Sequence, residues 1–172
     1  MRIRVPGDVR DAASGVGASL TVGGKRALPA RRARVEGAHD ARRVAVADDR
    51  VVVKRDARVR RGDIVVFKTP PETAVKCGEV GLFVKRLIGL PGETVHEDAH
   101  GFIDVGGKRL AEPYVERSSR LEDTSFVDRT WHVPPGDYFM IGDNQAESCD
   151  SRVWGGVPKH DVVGPVVKIL RG

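Results

Sequence analysis

The chain has very little cysteine, few aromatic residues and no long apolar stretch. Only Cys77 and Cys149 occur in 172 residues, which is too few for a disulfide scaffold and too few for a zinc site. No window reaches 18 uncharged apolar residues, and there is no apolar core of a secretory signal peptide, so we expect no membrane-spanning helix and no leader. The length and the 40% apolar content predict one domain of ordinary size.

Positive charge is concentrated in the first 47 residues. That segment carries ten Lys and Arg against four acids, whereas residues 48–172 carry 19 basic and 20 acidic groups. All nine aromatic residues lie at Phe67 or later, so the segment has no large side chains with which to form a core or stack on bases. We therefore expect a poorly ordered basic arm over residues 1–47, a β-domain over residues 48–172, and no nucleic-acid partner. Non-specific phosphate binding by the arm is the less favoured alternative.

Short apolar runs separated by Gly and Pro begin at Arg50 and recur at intervals typical of an all-β domain. Candidate strands lie over residues 50–54, 63–67, 81–88, 94–96, 101–105, 137–141 and 162–170. The polar segment 112–129 is typical of a long surface loop or an insertion. The sequence thus predicts a mainly β fold.

Three stretches carry more information than the strand pattern, and they lie at residues 60–67, 84–93 and 138–155. The third contains Gly-Asp-Asn followed by Ser-x-Asp-Ser-Arg-x-Trp-Gly. In order and spacing the three resemble sequence boxes of the type I signal peptidases, which are membrane-anchored serine proteases with a Ser-Lys dyad. The resemblance covers residues 48–172. It implies a mixed, mostly antiparallel β-fold, a hydrolase, an active site outside the cytoplasm at the cell membrane, and preprotein signal peptides as substrates.

Lys85 is the candidate general base. It lies in the apolar run 82–88, where burial disfavours the ammonium form, and a neutral amine at working pH can act as a general base. The alternative for such a lysine is a side chain that reaches solvent from a strand edge or pairs with an acid. The resemblance favours the catalytic role, because Lys85 and Arg86 precede Gly-x-Pro-Gly as in the family's base motif.

The region around Ser148 supplies the remaining candidate site residues. By resemblance, Ser148 provides a hydroxyl that hydrogen-bonds the base and orients its amine, whereas the local alternative is a backbone cap in a polar turn. Asp150 and Arg152 resemble the family's ion pair beneath the site, for which a guanidinium fork suits a carboxylate. Asp143 and Asn144 are expected to shape the turn that enters this stretch.

The nucleophile of the family is missing from its expected place. Counting back from Asp48 by the family's spacing reaches His39 or Asp40, where a Ser-Met-x-Pro-Thr box would stand. No Ser occurs between Ser19 and Ser118, so the attacking hydroxyl is absent, and with it one backbone donor of the oxyanion hole. Two explanations stay open. The favoured one is a frame error in the basic arm, because codons for residues 39–42 read one base later can spell Met-Met-Pro. The other is an inactive paralogue.

These observations predict a signal-peptidase-type serine endopeptidase that cleaves after small residues at the −1 and −3 positions, with its activity impaired by the missing serine. The alternative is a catalytically inactive β-module that binds extended peptides at a strand edge. A thiol-protease role for Cys149 is not favoured, since no His stands in a recognisable relation to it. No cofactor and no metal are expected. By resemblance the partners are preprotein signal peptides and the membrane, although the sequence contains no anchor.

Overall fold

A computed structural model of the chain describes residues 2–4, 31–36, 50–115 and 128–170. These ranges are mainly β, as predicted, with two short helices and one 3-10 turn, Lys159–Asp161. The elements are β1 (Arg2–Arg4), β2 (Arg31–Glu36), β3 (Arg50–Val53), β4 (Ile64–Lys68), α1 (Glu72–Cys77), β5 (Leu82–Gly89), β6 (Thr94–Glu97), β7 (Ile103–Val105), β8 (Lys108–Arg109), β9 (Arg129–His132), β10 (Asp137–Ile141), α2 (Ser151–Trp154), β11 (Val157–Pro158) and β12 (Val162–Leu170).

Six of the strands close a barrel. The order is β1-β2-β3-β12-β4-β5, and β5 pairs again with β1 to complete the circle. Beyond β5 the sheet continues into β10 and β11, and a second sheet has the order β8-β7-β6-β9. All pairings between the described strands are antiparallel, which confirms the predicted fold class.

Strand β5 divides one of its edges between two neighbours. Residues 82–83 pair with β1, and residues 86–89 pair with β10. On this edge, the intervening residues 84–85 have no partner among the strands that the structure describes. Lys85 therefore lies at a fork, where the β-ladder is interrupted in the middle of a buried strand.

Both faces of the β4–β5 pair are covered by apolar side chains. Alternating residues point to opposite faces of a strand, so Val84 contributes to one apolar cluster, while Phe83 and Leu87 contribute to another. Lys85 shares the face of Phe83 and Leu87 by this alternation. Its backbone also pairs with Val65 of β4, so the lysine is embedded in the core rather than placed at a free edge.

The second sheet packs against β5 and β10 at Gly89. A Cβ atom on Gly89 would lie 2.8 Å from the side chains of both Phe139 and Val95, and 2.9 Å from that of Val133. Real Cβ atoms do not approach neighbours so closely, so only glycine permits this contact between the sheets. The small sheet is thereby held against the strand that carries Lys85.

The basic arm differs from the expectation in the parts that the structure describes. Residues 2–4 and 31–36 are strands of the closed barrel, although the composition predicted little regular structure there. Strand β2 pairs with β3 from Arg31↔Val53 to Arg34↔Arg50. Backbone hydrogen bonds build such a ladder without large apolar side chains, so composition alone did not indicate it. The other residues of the arm, including His39 and Asp40, lie outside the described residues.

The predicted strands 137–141 and 162–170 occur with the predicted boundaries, and the other five lie within a few residues of theirs. Helices α1 and α2 and strands β8, β9 and β11 were not predicted. Within the described part of the chain, neither helix approaches the length and apolarity that a bilayer crossing requires.

Candidate active site

The Lys85 amine contacts the Ser148 hydroxyl. Lys85 Nζ donates a hydrogen bond to Ser148 Oγ at 2.6 Å, and only 4% of Lys85 is exposed. Lys85 lies in the middle of β5, and Ser148 lies in the loop between β10 and α2. The structure therefore brings together the two residues that the sequence analysis paired, across a separation of 63 positions.

Gly142 provides the space for this contact. A Cβ atom at residue 142 would lie 3.1 Å from Lys85 Nζ and 2.6 Å from Ser148 Cβ, and nearer still to Ser148 Oγ. Any side chain would therefore displace the seryl hydroxyl from the amine. The backbone N–H of Gly142 points the other way and donates to Asp150 Oδ2 at 3.0 Å.

The Asp150 carboxylate holds both ends of the loop that carries Ser148. It is fully buried and accepts the Gly142 bond from one end of the loop. At the other end it caps the N-terminus of α2 by accepting the backbone N–H of Arg152 at 3.1 Å. One carboxylate thus fixes the chain on both sides of Ser148.

Arg152 forms the predicted ion pair with Asp150 and extends it to the second sheet. Its Nε and Nη2 atoms lie 2.9 Å from the two Asp150 oxygens, in the fork geometry expected for a carboxylate. Nη1 donates to Glu97 Oε1 of β6 at 2.8 Å, and Nη2 donates to the carbonyl of Gln145 at 2.7 Å. The loop, α2 and the small sheet are therefore joined through one guanidinium group.

The buried charges shift the pKa values of this cluster in opposite directions. Burial alone would raise the pKa of Asp150, but the charge and hydrogen bonds of Arg152, with the charge of Lys85, hold it below its ordinary value. Burial raises the pKa of Glu97 even though Arg152 opposes the shift. Asp150 is therefore the acid whose charge the fold stabilises, and Glu97 is the one whose charge the fold disfavours.

Arg86 makes a second bidentate ion pair, which the sequence analysis did not assign. Its Nε and Nη2 atoms donate to the two oxygens of Asp143 at 2.8 and 2.6 Å. Its guanidinium carbon also lies 3.8 Å from the ring centroid of Tyr114. Asp143 was expected to shape a turn; the structure shows that its carboxylate also ties that turn to the residue beside Lys85.

Two weaker contacts complete the loop. Ser151 is fully buried, and its Oγ accepts the backbone N–H of Met140 at 2.9 Å, which joins α2 to β10. Asn144 Nδ2 donates to Glu147 Oε2 at 3.3 Å within the turn. Ser151 stood inside the motif that carried the resemblance, but its local sequence gave no sign of which backbone group it would bind.

Cys77 and Cys149 form a disulfide, with their Cα atoms 6.2 Å apart. The bridge joins the end of α1 to the residue beside Ser148, so neither cysteine is free to act as a thiol nucleophile. Two cysteines in 172 residues predict no disulfide scaffold, and nothing in the sequence indicated this pairing. A bridge between residues 72 positions apart restricts the unfolded chain by about 4 kcal/mol in the chain-entropy account.

Strand β2 leads the chain towards the level of Lys85. Glu36 at the end of β2 pairs with Arg2 of β1, and Arg2 pairs with Phe83 of β5. The end of β2 therefore lies two strands away from β5, level with Phe83, which is two residues before Lys85. Because β1 is antiparallel to both strands, β2 and β5 run in the same direction. Two strand spacings amount to roughly 9.5 Å. The predicted nucleophile position, His39 or Asp40, follows this strand and is outside the described residues.

A buried lysine whose amine is bonded to a loop serine has the surroundings of a general base in a hydrolase. The family model described as "Signal peptidase, peptidase S26" matches residues 16–170. The chain therefore belongs to the signal peptidase family, and the match begins upstream of residue 48, where the resemblance was expected to start. Among the described residues, no cluster of His, Cys, Asp and Glu is arranged to hold a metal ion.

Curated relatives and a solved structure agree with this assignment. The chain is 36% identical over 130 residues to signal peptidase I of Leptolyngbya laminosa, covering 70% of this chain and 59% of the relative. It is 38% identical over 104 residues to a probable signal peptidase I of Synechocystis, covering 60% of this chain and 50% of the relative. The chain thus spans little more than half the length of these relatives. The crystal structure of a signal peptidase I from Enterococcus faecalis has a TM-score of 0.53 and 32% identity, and the match covers 65% of this chain and 98% of that one.

Replacing Gly142 with alanine should break the contact between Lys85 and Ser148, because the new methyl group would occupy the place of the seryl hydroxyl. The check is a crystal structure of the variant, in which we expect the distance from Nζ to Oγ to exceed 3.5 Å. Gly89→Ala is the matched control, since it crowds the sheet contact and leaves the loop intact. Survival of the 2.6 Å contact in the Gly142→Ala variant would contradict this account of the site.

Asp150→Asn should lower the free energy of unfolding by about 3–5 kcal/mol at pH 7, because it leaves the buried Arg152 without its main counter-charge. Glu97→Gln should cost less than about 1.5 kcal/mol, since burial already disfavours the Glu97 charge and the amide oxygen can still accept from Arg152. Urea denaturation of both variants measures the difference. Equal losses would contradict the assigned roles.

The same carboxylate predicts a pH dependence. Because the pKa of Asp150 is lower in the folded state, its stabilising contribution is present above the unfolded value of about 4 and is lost as pH falls below it. Urea midpoints measured from pH 6 to pH 2 should therefore fall more steeply for the parent chain than for Asp150→Asn. Parallel curves would show that this carboxylate is not the titrating group.

Proposed function

We propose that this chain is the catalytic domain of a signal-peptidase-type endopeptidase that removes signal peptides from exported preproteins after small residues at −1 and −3. Lys85 is its general base, and Ser148 orients the Lys85 amine. The observation that carries the proposal is the 2.6 Å hydrogen bond between a lysine buried in a barrel strand and a loop serine. Membership of the signal peptidase family supports the same reaction.

The environment of Lys85 suits a base that gains and then returns a proton. Apolar neighbours such as Phe83 and Leu87 keep the amine away from water, and the bond to Ser148 selects one of the many rotamers of the side chain. When the amine takes a proton from an attacking hydroxyl, the nearby Asp150 carboxylate stabilises the ammonium that forms. The amine can then deliver that proton to the leaving nitrogen of the peptide.

The fork in β5 suits an extended peptide substrate. Residues 84–85 have backbone groups on an edge that neither β1 nor β10 pairs in the described part of the chain. An extended peptide can add to such an edge by main-chain hydrogen bonds, which would bring its scissile bond beside Lys85. Small side chains at −1 and −3 would then meet shallow apolar pockets that exclude larger ones.

The nucleophile position belongs to the segment that follows β2, and the direction of β2 towards the level of Lys85 supports this placement. In this sequence the position holds His39 or Asp40. An imidazole is too long to replace a seryl oxygen, and a carboxylate would pair with Lys85 and keep its amine protonated. We therefore infer that the chain is impaired in catalysis, and that a serine in this segment would restore it.

The disulfide supports a site of action outside the cytoplasm. Disulfides form and persist in oxidising compartments and are rare where thiol reductants are abundant. Exported preproteins present their cleavage sites in the same compartment. Association with the cell membrane is part of this proposal and rests on the family assignment.

The test compares two versions of the chain on a preprotein with an Ala-x-Ala cleavage site, in detergent micelles. We expect no cleavage above background for the chain itself, and measurable cleavage when residues 39–43 are replaced by Ser-Met-Met-Pro-Thr. Adding Lys85→Ala should abolish the restored activity, while Lys168→Ala, an exposed lysine of β12, should not. Equal cleavage by both versions would overturn the proposal for the nucleophile segment and point to another group, such as Ser148.

A second candidate function is a peptide-binding module without catalysis, which the absence of serine between Ser19 and Ser118 favours. A serine-directed acylating probe of the β-lactam class distinguishes the two. We expect the restored version to gain the mass of the probe within residues 39–43, and the chain itself to remain unlabelled. If the restored version binds an extended signal peptide but is neither labelled nor active, the binding module is the correct description.

A further inference from the structure

Among the described residues, helix α1 contacts the rest of the chain through few side chains. It has six residues and connects β4 to β5. Thr73 is buried and Cys77 is half-buried, and their spacing of four places both on one face of the helix. The opposite face is open to solvent, as the 89% exposure of Val75 illustrates. A helix of this length is not stable by itself, so its position depends on what holds that one face.

Apart from the disulfide, the described residues give α1 and α2 few polar contacts with each other. Lys76 Nζ donates to the carbonyl of Val153 at 2.9 Å, in an exposed contact. Thr73 Oγ1 and Trp154 Nε1 are buried, and neither has a hydrogen-bond partner in the part of the chain that the structure describes. Buried polar groups without partners oppose the packing that buries them. The covalent bridge is therefore the strongest tie between α1 and the loop that carries Ser148.

The other end of the bridge lies inside the active-site loop. Cys149 is the residue between Ser148, which binds Lys85, and Asp150, which anchors the loop. On the other side of Ser148, the turn at Ala146 and Glu147 is exposed to solvent. Ser148 is thus held through Asp150 and the disulfide directly on its C-terminal side. On its N-terminal side the nearest anchor is Gln145, whose carbonyl accepts a hydrogen bond from Arg152, and the two residues between are exposed.

We propose that the Cys77–Cys149 disulfide is a redox-controlled positioning element that holds the Ser148 hydroxyl against Lys85. The inference rests on the proposed function of Lys85 as the base, and it adds a condition under which that base is oriented. The site is ordered for catalysis when the bridge is intact and loosened when the bridge is reduced. The domain would then work only in an oxidising compartment, where exported substrates arrive.

The redox step is a thiol–disulfide exchange with a dithiol. One thiolate of the dithiol attacks a sulfur of the bridge, which breaks the Cys77–Cys149 bond, releases one cysteine thiolate and leaves a mixed disulfide. The second thiolate of the dithiol then attacks the mixed disulfide and releases the other cysteine thiolate. The dithiol loses two electrons and two protons and becomes a disulfide, and Cys77 and Cys149 become thiols. Both cysteines are half-buried, and the bridge lies between α1 and the Ser148 loop, outside the barrel strands.

The first experiment reports on the Lys85 amine without any need for cleavage. In protein labelled with ¹⁵N-lysine, and brought after the redox treatment to a pH acidic enough to protonate the base, a buried and hydrogen-bonded ammonium exchanges slowly with water and gives a ¹H–¹⁵Nζ cross-peak, which Lys85→Arg would assign. We expect this cross-peak in the oxidised protein, and at least tenfold faster exchange or loss of the signal after reduction with dithiothreitol. Reoxidation with oxidised glutathione should restore it.

Two variants serve as controls for the first experiment. Cys77→Ala removes the bridge and leaves the active-site loop unchanged in sequence, so it should resemble the reduced protein and not respond to the dithiol. Lys76→Met removes the other tie between α1 and α2, and should leave the Lys85 signal as in the oxidised parent. An equal effect of the two variants would show that docking of α1 in general, rather than the bridge, positions Ser148.

The second experiment measures steady-state cleavage by the version restored at residues 39–43. Reduction should lower kcat at least tenfold and change KM less than twofold, because the orientation of Lys85 affects the chemical step and not peptide binding. If the oxidised version does not cleave, the proposed function fails, but the Lys85 cross-peak still tests the positioning role.

Two results would overturn the inference. An unchanged Lys85 cross-peak in fully reduced protein would show that the bridge does not position the pair. Loss of the barrel's backbone amide signals on reduction would show that the bridge only stabilises the whole fold.

Discussion

The fully buried carboxylate of Asp150 is the constraint on which the site depends. A charge so far from water is tolerated only when it is paired and hydrogen-bonded, and here Arg152 and the backbone of Gly142 provide those partners. Because these partners lie on opposite sides of Ser148, satisfying the charge also sets the path of the loop. The same requirement draws in Glu97 through Arg152, so the second sheet is tied to the site by electrostatics as well as by apolar packing.

The pairing of β5 in the barrel determines the position of Lys85. An uninterrupted strand would pair its backbone on both edges, but β5 exchanges one neighbour for another just at Lys85. The interruption of the ladder lies beside the loop with Ser148, while the apolar face around Phe83 and Leu87 keeps the amine away from bulk water. Gly142 then permits the final approach of the hydroxyl to the amine. The strand topology, the burial of Lys85 and the absence of a side chain at Gly142 together allow the hydrogen bond between Lys85 and Ser148.

Most of the fold could be predicted because its signals are local. Strands 137–141 and 162–170 are marked by apolar runs between turn residues, and the motif around Ser148 is long enough to identify the family. The barrel strands of the arm, β1 and β2, could not be predicted in this way. They are held by backbone ladders with β3 and β5, and such ladders leave little trace in composition.

By itself, the sequence determined which residues are present for chemistry: a lysine in an apolar run, a serine in a polar turn and an Asp-x-Arg pair. Only the tertiary structure decided which of them meet. The bond from Lys85 to Ser148, the ion pair of Arg86 with Asp143 and the bridge from Cys77 to Cys149 each join residues more than 50 positions apart. No local pattern encodes such contacts, because they depend on the closure of the barrel and on the buried charges that fix the loop against it.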